Sequence, residues 1–351
     1  MKKELLLASA LVGSFGLAGV AEAATATMSG SITAGVTGDD MGGTGGSNQG
    51  AVQSSELSFA ISETMDTGTK LSTSLSIVDE GTAEGDSGGI TLTFTDGSTL
   101  DLLEAGSAFG GGIASIPAAS GSQGITNVSG NSAPTDLDWA DASDAVGFDW
   151  GSAADAFGGM TVGISAATGD DDDTTNTSTP ETTYSVGVTY KMDAGDSAIT
   201  VGAGYINVSS SNSVAKNNHA DSAAVSISAV TGSLTIGAGM SSGNGLSKTG
   251  AGAIAEEMDS VSYMEAGASY VSGDMTFAVS MVDSQAKTAA LGVERGTGAD
   301  KHESVSASID YAVATGVTAT LGFTDVANTN DGVASEANGG SSWYVGASVS
   351  F

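Results

Sequence analysis

GSSWYVGASVSF, residues 340–351, decides how the rest of this chain is read. Trp343, Val345, Ala347, Val349 and Phe351 fall on one side of an extended strand. Tyr344, Gly346, Ser348 and Ser350 fall on the other. Side chains of a strand alternate between faces, so this strand has one apolar face and one small, polar face. Phe351 ends the sequence in phase with the apolar set and is expected to be anchored there.

Working back from it, the same unit recurs. Val305, Ala307, Ile309 and Tyr311 turn at Thr315-Gly316 into Val317, Ala319, Leu321 and Phe323. Met264, Ala266, Ala268 and Tyr270 turn at Ser272-Gly273-Asp274 into Met275, Phe277, Val279 and Met281. Nearer the N-terminus, Leu57, Phe59 and Ile61 pass through Met65-Asp66-Thr67-Gly68 to Leu71, Leu75 and Ile77. Ile90, Leu92 and Phe94 turn at Asp96-Gly97 into Leu100 and Leu102. Sixteen such strands can be counted, joined alternately by eight long loops and seven short turns. The first long loop is Gly-rich, Gly38 to Val52, and the longest is Ala105 to Ser143.

A sandwich has no reason to keep its short turns at one end. An up-and-down barrel does, and closure pairs every backbone group without leaving an edge. Trp150, Tyr190, Tyr205, Tyr270, Tyr311, Trp343 and Tyr344 lie near strand ends, as an interfacial girdle requires. The expectation is therefore all-β, a sixteen-stranded antiparallel transmembrane β-barrel. The fourth to sixth strands are its weak points, with fewer apolar positions than a bilayer span of about 9–11 residues would show.

Lys2 and Lys3, the apolar run Leu5 to Val20, and Ala21-Glu22-Ala23 read as a secretory signal peptide, residues 1–23, leaving 24–351 as the barrel. No Cys is present, so no disulfide staples the chain, and no apolar run after Val20 could form a membrane helix. The formal charge is −32. Such a chain repels nucleic acid and attracts cations, and adaptation to a salty habitat is an equal reading of the same number.

The signal peptide, the Met65–Gly68 hairpin, the strand count and the Trp343-Tyr344 to Phe351 ending together resemble the general porins of Gram-negative outer membranes, closest in manner to those of alphaproteobacteria. The resemblance spans the mature chain and is one of pattern rather than of a sharp motif. It implies a water-filled, trimeric diffusion channel in the cell outer membrane, among lipid and lipopolysaccharide. Short periplasmic turns, long outer loops and a third outer loop folded inward to narrow the pore are part of it. It also implies that the terminal aromatic, Phe351, is what the outer-membrane assembly machinery recognises.

Ala105 to Ser143 has the position of that third loop, and so long a segment without strands is uncommon unless functional. Its end is acidic, with Asp136, Asp138, Asp141 and then Asp144. Lumen-facing strand positions read Asp101, Asp149, Glu265 and Asp310, with Lys191 almost alone as a cation. Such porins usually oppose the loop carboxylates with clustered arginines. Here Arg295 is the one arginine, in an outer loop, so a wholly negative constriction and a cation-preferring, non-specific channel are expected.

Other signals carry less. Gly85-Asp86-Ser87-Gly88-Gly89 matches a serine-protease nucleophile string, but His219 and His302 come later in the chain than that chemistry uses, and both read as rim residues. No enzymatic activity and no cofactor are expected. Asp170 to Asp173 offers carboxylates to Ca²⁺ without defined ligand spacing, and a solvated loop tip is the better reading. Two alternatives stay open: an acidic Gly-rich surface-layer or adhesin-like protein, which would lack the girdle, and a substrate-specific channel, which would need an aromatic or basic track.

Overall fold

The computed structural model describes residues 24–42, 48–79, 83–105, 107–120, 133–138, 145–154, 156–170, 182–209, 219–245, 256–290, 299–329 and 338–351. Residues 1–23 lie outside the described residues, as do Asp141, Asp144, Arg295 and Asp171 to Asp173.

Sixteen strands are present among the described residues. They are β1 (Thr25–Gly42), β2 (Asn48–Thr64), β3 (Lys70–Asp79), β4 (Ala83–Thr93), β5 (Thr99–Ala105) and β6 (Ala145–Gly151). Then follow β7 (Met160–Asp170), β8 (Thr182–Ala194), β9 (Ser197–Ser209), β10 (His219–Thr231) and β11 (Leu234–Gly245). The last are β12 (Glu256–Ser272), β13 (Met275–Ala290), β14 (Asp300–Ala314), β15 (Val317–Thr329) and β16 (Asn338–Ser350). Each pairs antiparallel with its neighbour, and β1 pairs with β16 to close the barrel. The seam is finished by Phe351, whose N–H donates to the Gly30 carbonyl at 3.0 Å while the Gly30 N–H donates to the Phe351 carbonyl at 3.1 Å.

Local chemistry explains the short-turn rim. The two-residue turns after β8, β10 and β12 place Gly195, Gly232 and Gly273 at φ of 65°, 58° and 61°. Tight hairpins need a positive φ there, which glycine adopts without a Cβ clash. Alternation then sorts the side chains. Val225, Met240, Val305 and Val345 are each at least 50% exposed on the outside. A wall that leaves so many large apolar residues uncovered has hydrocarbon as its solvent. No helix among the described residues is long and apolar enough to cross a membrane.

Several sequence expectations need correcting. β1 and β2 run on through most of the supposed first loop, to Gly42 and from Asn48. Gln49 and Gln53 occupy outward positions there, so the apolar signal stops although the ladder continues. β4 begins at Ala83 and takes in Glu84 and Asp86, which alternation assigned to a loop. Its outer half is Gly, Ser and acid, and its pairing with β3 slips between Ser72 and Ser74, which breaks the period. β5 and β6 are indeed brief, at 7 residues each. Near the end of β5, Leu103 adopts φ 78°. That left-handed backbone costs a non-glycine residue about 1–2 kcal/mol.

Tyr344 is not a girdle residue. It faces inward, 3% exposed, and its ring lies over Gly35 and Gly346, where a Cβ at either position would overlap it. Its neighbour Trp343 does face outward and lies over Gly38, where an added Cβ would stand 2.6 Å from the indole. Tyr190, Tyr270 and Tyr311 ring the short-turn end, and Tyr184 and Tyr205 lie towards the other.

The apolar core lies inside the barrel, off to one side. Phe109 and Leu137, from the segment between β5 and β6, pack on Ile206, Val208, Ala220, Ala224 and Tyr263 of the inner wall.

Candidate functional site: the lumen and its loop

The segment after β5 starts with a single helical turn, α1 (Ala108–Gly111), capped by Ser107, whose hydroxyl accepts from the Phe109 N–H. From there residues 107–120 run across the inner face of eight consecutive strands. Backbone N–H groups donate to inward serines: Ala108 to Ser165 (3.2 Å), Phe109 to Ser185 (3.1 Å) and Ala114 to Ser226 (2.6 Å). Farther along, Ala119 donates to Ser280 (3.2 Å) and Ser120 to Ser308 (2.8 Å). The serines stand on β7, β8, β10, β13 and β14. On β9, β11 and β12 the wall offers glycine instead. Phe109 lies on Gly204, Ile116 on Gly237 and Gly239, and Pro117 on Gly267.

Residues 133–138 return along the same wall. The Ser284 hydroxyl donates to the Pro134 carbonyl (2.5 Å), and the Tyr263 hydroxyl lies 3.2 Å from the Thr135 carbonyl and 3.1 Å from Glu265 Oε2. Leu137 is buried, 4% exposed, in the inner core. Asp136 and Asp138 flank it and stay open to the lumen beside Glu265. Partial desolvation where the loop lies against the wall, reinforced by the Asp138 charge, raises the Asp136 carboxyl from its ordinary value.

The remaining candidates are distributed around the wall. Asp310 faces inward and accepts from the Ser120 hydroxyl (2.8 Å) and the Thr320 hydroxyl (2.6 Å), one on each oxygen. Asp101 and Asp149 are register partners on β5 and β6, and Thr91 donates to Asp101. Lys191 lies four residues beyond Gly187 towards the short-turn rim. That is about 13 Å along the strand at ~3.3 Å per residue. It therefore stands well below the height at which Gly187 meets the loop.

Sequence reading missed Glu56, which alternates with the outward Leu57 and accepts from the Ser58 hydroxyl (3.0 Å) and the Ser76 hydroxyl (3.4 Å). Its phase within Leu57-Ser58-Phe59 was enough to find it. It also missed Lys70 at the start of β3, inward by the same rule. His302, the third residue of β14, stands at its long-loop end and is buried on the inner face, with its Nδ1 2.7 Å from Asn328 Oδ1. His219 opens β10. No group of three or more metal-ligating side chains gathers among the described residues. Of the acidic run proposed for Ca²⁺, only Asp170, the last residue of β7, is described.

The family model described as Gram-negative porin matches residues 7–332. The chain belongs to the Gram-negative porin family. Solved porins share the fold at low identity. OmpF of Salmonella typhi, in complex with daunomycin, matches with a TM-score of 0.65 and 15% identity, over 93% of this chain and 98% of that one. The anion-selective porin of Comamonas acidovorans gives 0.60 and 15%, over 93% and 100%. OmpT of Vibrio cholerae in its trimer form gives 0.61 and 11%, over 94% and 100%. No match was found among the curated proteins. Porin membership and the closed barrel place the chain in the outer membrane as a general diffusion channel.

Proposed function

We propose that this porin passes small hydrophilic solutes without fine specificity and prefers cations. One observation carries the reading: Leu137 anchors Asp136 and Asp138 in the lumen beside Glu265, while Lys191 sits far down the wall. In a water-filled passage with low-dielectric walls, fixed carboxylates concentrate cations and exclude anions. The preference should shrink with salt, since the Debye length falls from about 10 Å at 0.1 M to about 3 Å at 1 M. Asp141 and Asp144 extend the same acidic stretch in the sequence. Reversal potentials across a planar bilayer under a KCl gradient test this. Cation preference that weakens with salt is expected, and an anion-selective wild type would refute it.

A homotrimer within lipid and lipopolysaccharide is the expected assembly, as the trimeric form of OmpT illustrates for a protein of like fold. Phe351, 63% exposed at the barrel seam, serves as the signal for the assembly machinery. Deleting it should lower assembled porin in the outer membrane while synthesis continues, measured on fractionated membranes.

A further inference from the structure

We infer that the inner wall of β7–β14 is a seat whose side-chain volume sets the bore of the channel. The inference rests on the diffusion-channel reading and concerns what fixes its width. The loop does not hang free in the lumen. It lies on eight strands in succession, and at loop height each strand presents either a serine hydroxyl that accepts a loop N–H or a glycine with no side chain at all.

The two residue types have different tasks. A loop N–H held against a wall loses its water and needs an acceptor, and five serines supply it. The glycines let loop backbone approach wall backbone, and Gly112 of the loop comes so near that an added Cβ would stand 2.5 Å from Gly187 Cα. At Gly267 a Cβ would overlap the Pro117 carbonyl outright. At Gly239 it would stand 2.7 Å from Leu137 Cδ2 and 2.8 Å from Ile116 Cδ1.

Ordinary contact begins near 3.4 Å, so any side chain added behind the loop pushes it towards the axis. The barrel wall is closed by hydrogen bonds on both edges of every strand and cannot recede. Bore is thus written in wall positions that never touch a permeating solute. The residues are positioning residues, acting through the loop.

The test measures single-channel conductance, and the largest sugar admitted in liposome swelling, for Gly267→Ala, Gly239→Ala and Gly50→Ala. Gly50 also lies on the inner face, where an added Cβ meets only Thr37 Cγ2 at 3.7 Å. Gly267→Ala is expected to reduce conductance by roughly a third and to lower the sugar size limit, with Gly239→Ala smaller in the same direction and Gly50→Ala unchanged. Slow migration on an unheated gel reports assembly. Should Gly267→Ala fail to assemble, Gly239→Ala, whose conflict is with side-chain tips, decides. Wild-type conductance in the assembled variants overturns the inference and leaves the channel reading intact. Failure of both to assemble, with Gly50→Ala normal, makes them folding residues and overturns it too. A wild type that passes no current removes the channel reading, and this inference with it.

Discussion

Two stretches of the inner wall, β7–β14 and β1–β3, are built from the same small residues and end in different states. On β7–β14 four of the five loop-bonded serines are covered: Ser165, Ser185, Ser226 and Ser308 are each under a tenth exposed, while Ser280 is half-buried. On β1–β3 the equivalent hydroxyls, Ser31, Ser58, Ser72 and Ser76, stay partly open. One stretch seats a loop and the other faces the passage. Composition alone would not separate them, because both read as alternating Ser, Thr and Gly opposite an apolar face.

The strongest way to break this comparison is to add bulk on each side. Gly187→Val on the covered stretch would overlap Ala108 and Gly112 of the loop, whereas Ser76→Val on the open stretch gives up only partly exposed hydroxyl contacts with Ser58 and Glu56. Overpacking of this kind costs about 1–3 kcal/mol. Gly187→Val should therefore lower the temperature at which the folded band is lost on gels by several degrees, and Ser76→Val should leave it close to wild type. Equal shifts would mean that the two stretches do not differ as described.

Charge sharpens the contrast at smaller amplitude. Glu265→Gln acts beside Asp136 and Asp138, while Glu56→Gln acts on the open wall. The former should reduce cation preference more, read as reversal potential in dilute KCl. Neutralising Asp170 to Asp173 together should do least, since Asp170 already stands at the end of β7. If that quadruple variant matched Glu265→Gln, the charge would be a diffuse property of the chain.

The smallest effect is in pH. Partial desolvation and the neighbouring Asp138 charge favour the neutral form of Asp136, so its carboxyl gains a proton at a higher pH than an ordinary aspartate would. As pH falls from neutral, cation preference should begin to drop above the usual aspartate range. Asp136→Asn should remove that early step and keep the later decline. An unchanged titration curve would place the selectivity elsewhere.

Legibility followed the solvent. Where the outer wall meets hydrocarbon, as in β13 to β16, alternation named each strand and its phase. Where outward positions are Gln or Gly, as in β1 and β2, the strands continue without that signal, and alternation alone reads them as loops. Tyr344 shows the other limit. Its phase correctly placed it inside, yet only the bare backbones of Gly35 and Gly346 explain how a large ring fits there. Asp101, Asp149, Glu265 and Asp310 could be selected by parity, as could Glu56, because parity is local.

The sequence by itself determined the barrel, the strand count and the face each side chain takes, since a period of two depends only on neighbours along the chain. Tertiary structure decided which inner face is dry. Residues 107–120 meet Ser165 through Ser308 across long chain separations, and nothing in the local pattern of either partner specifies the other. The acids of the loop acquire their position in the same way, through Leu137 packing on Phe109, Ile206 and Tyr263. Hydrogen bonds and contacts between distant segments carry no periodicity of their own, so they exist only once the barrel has closed around them.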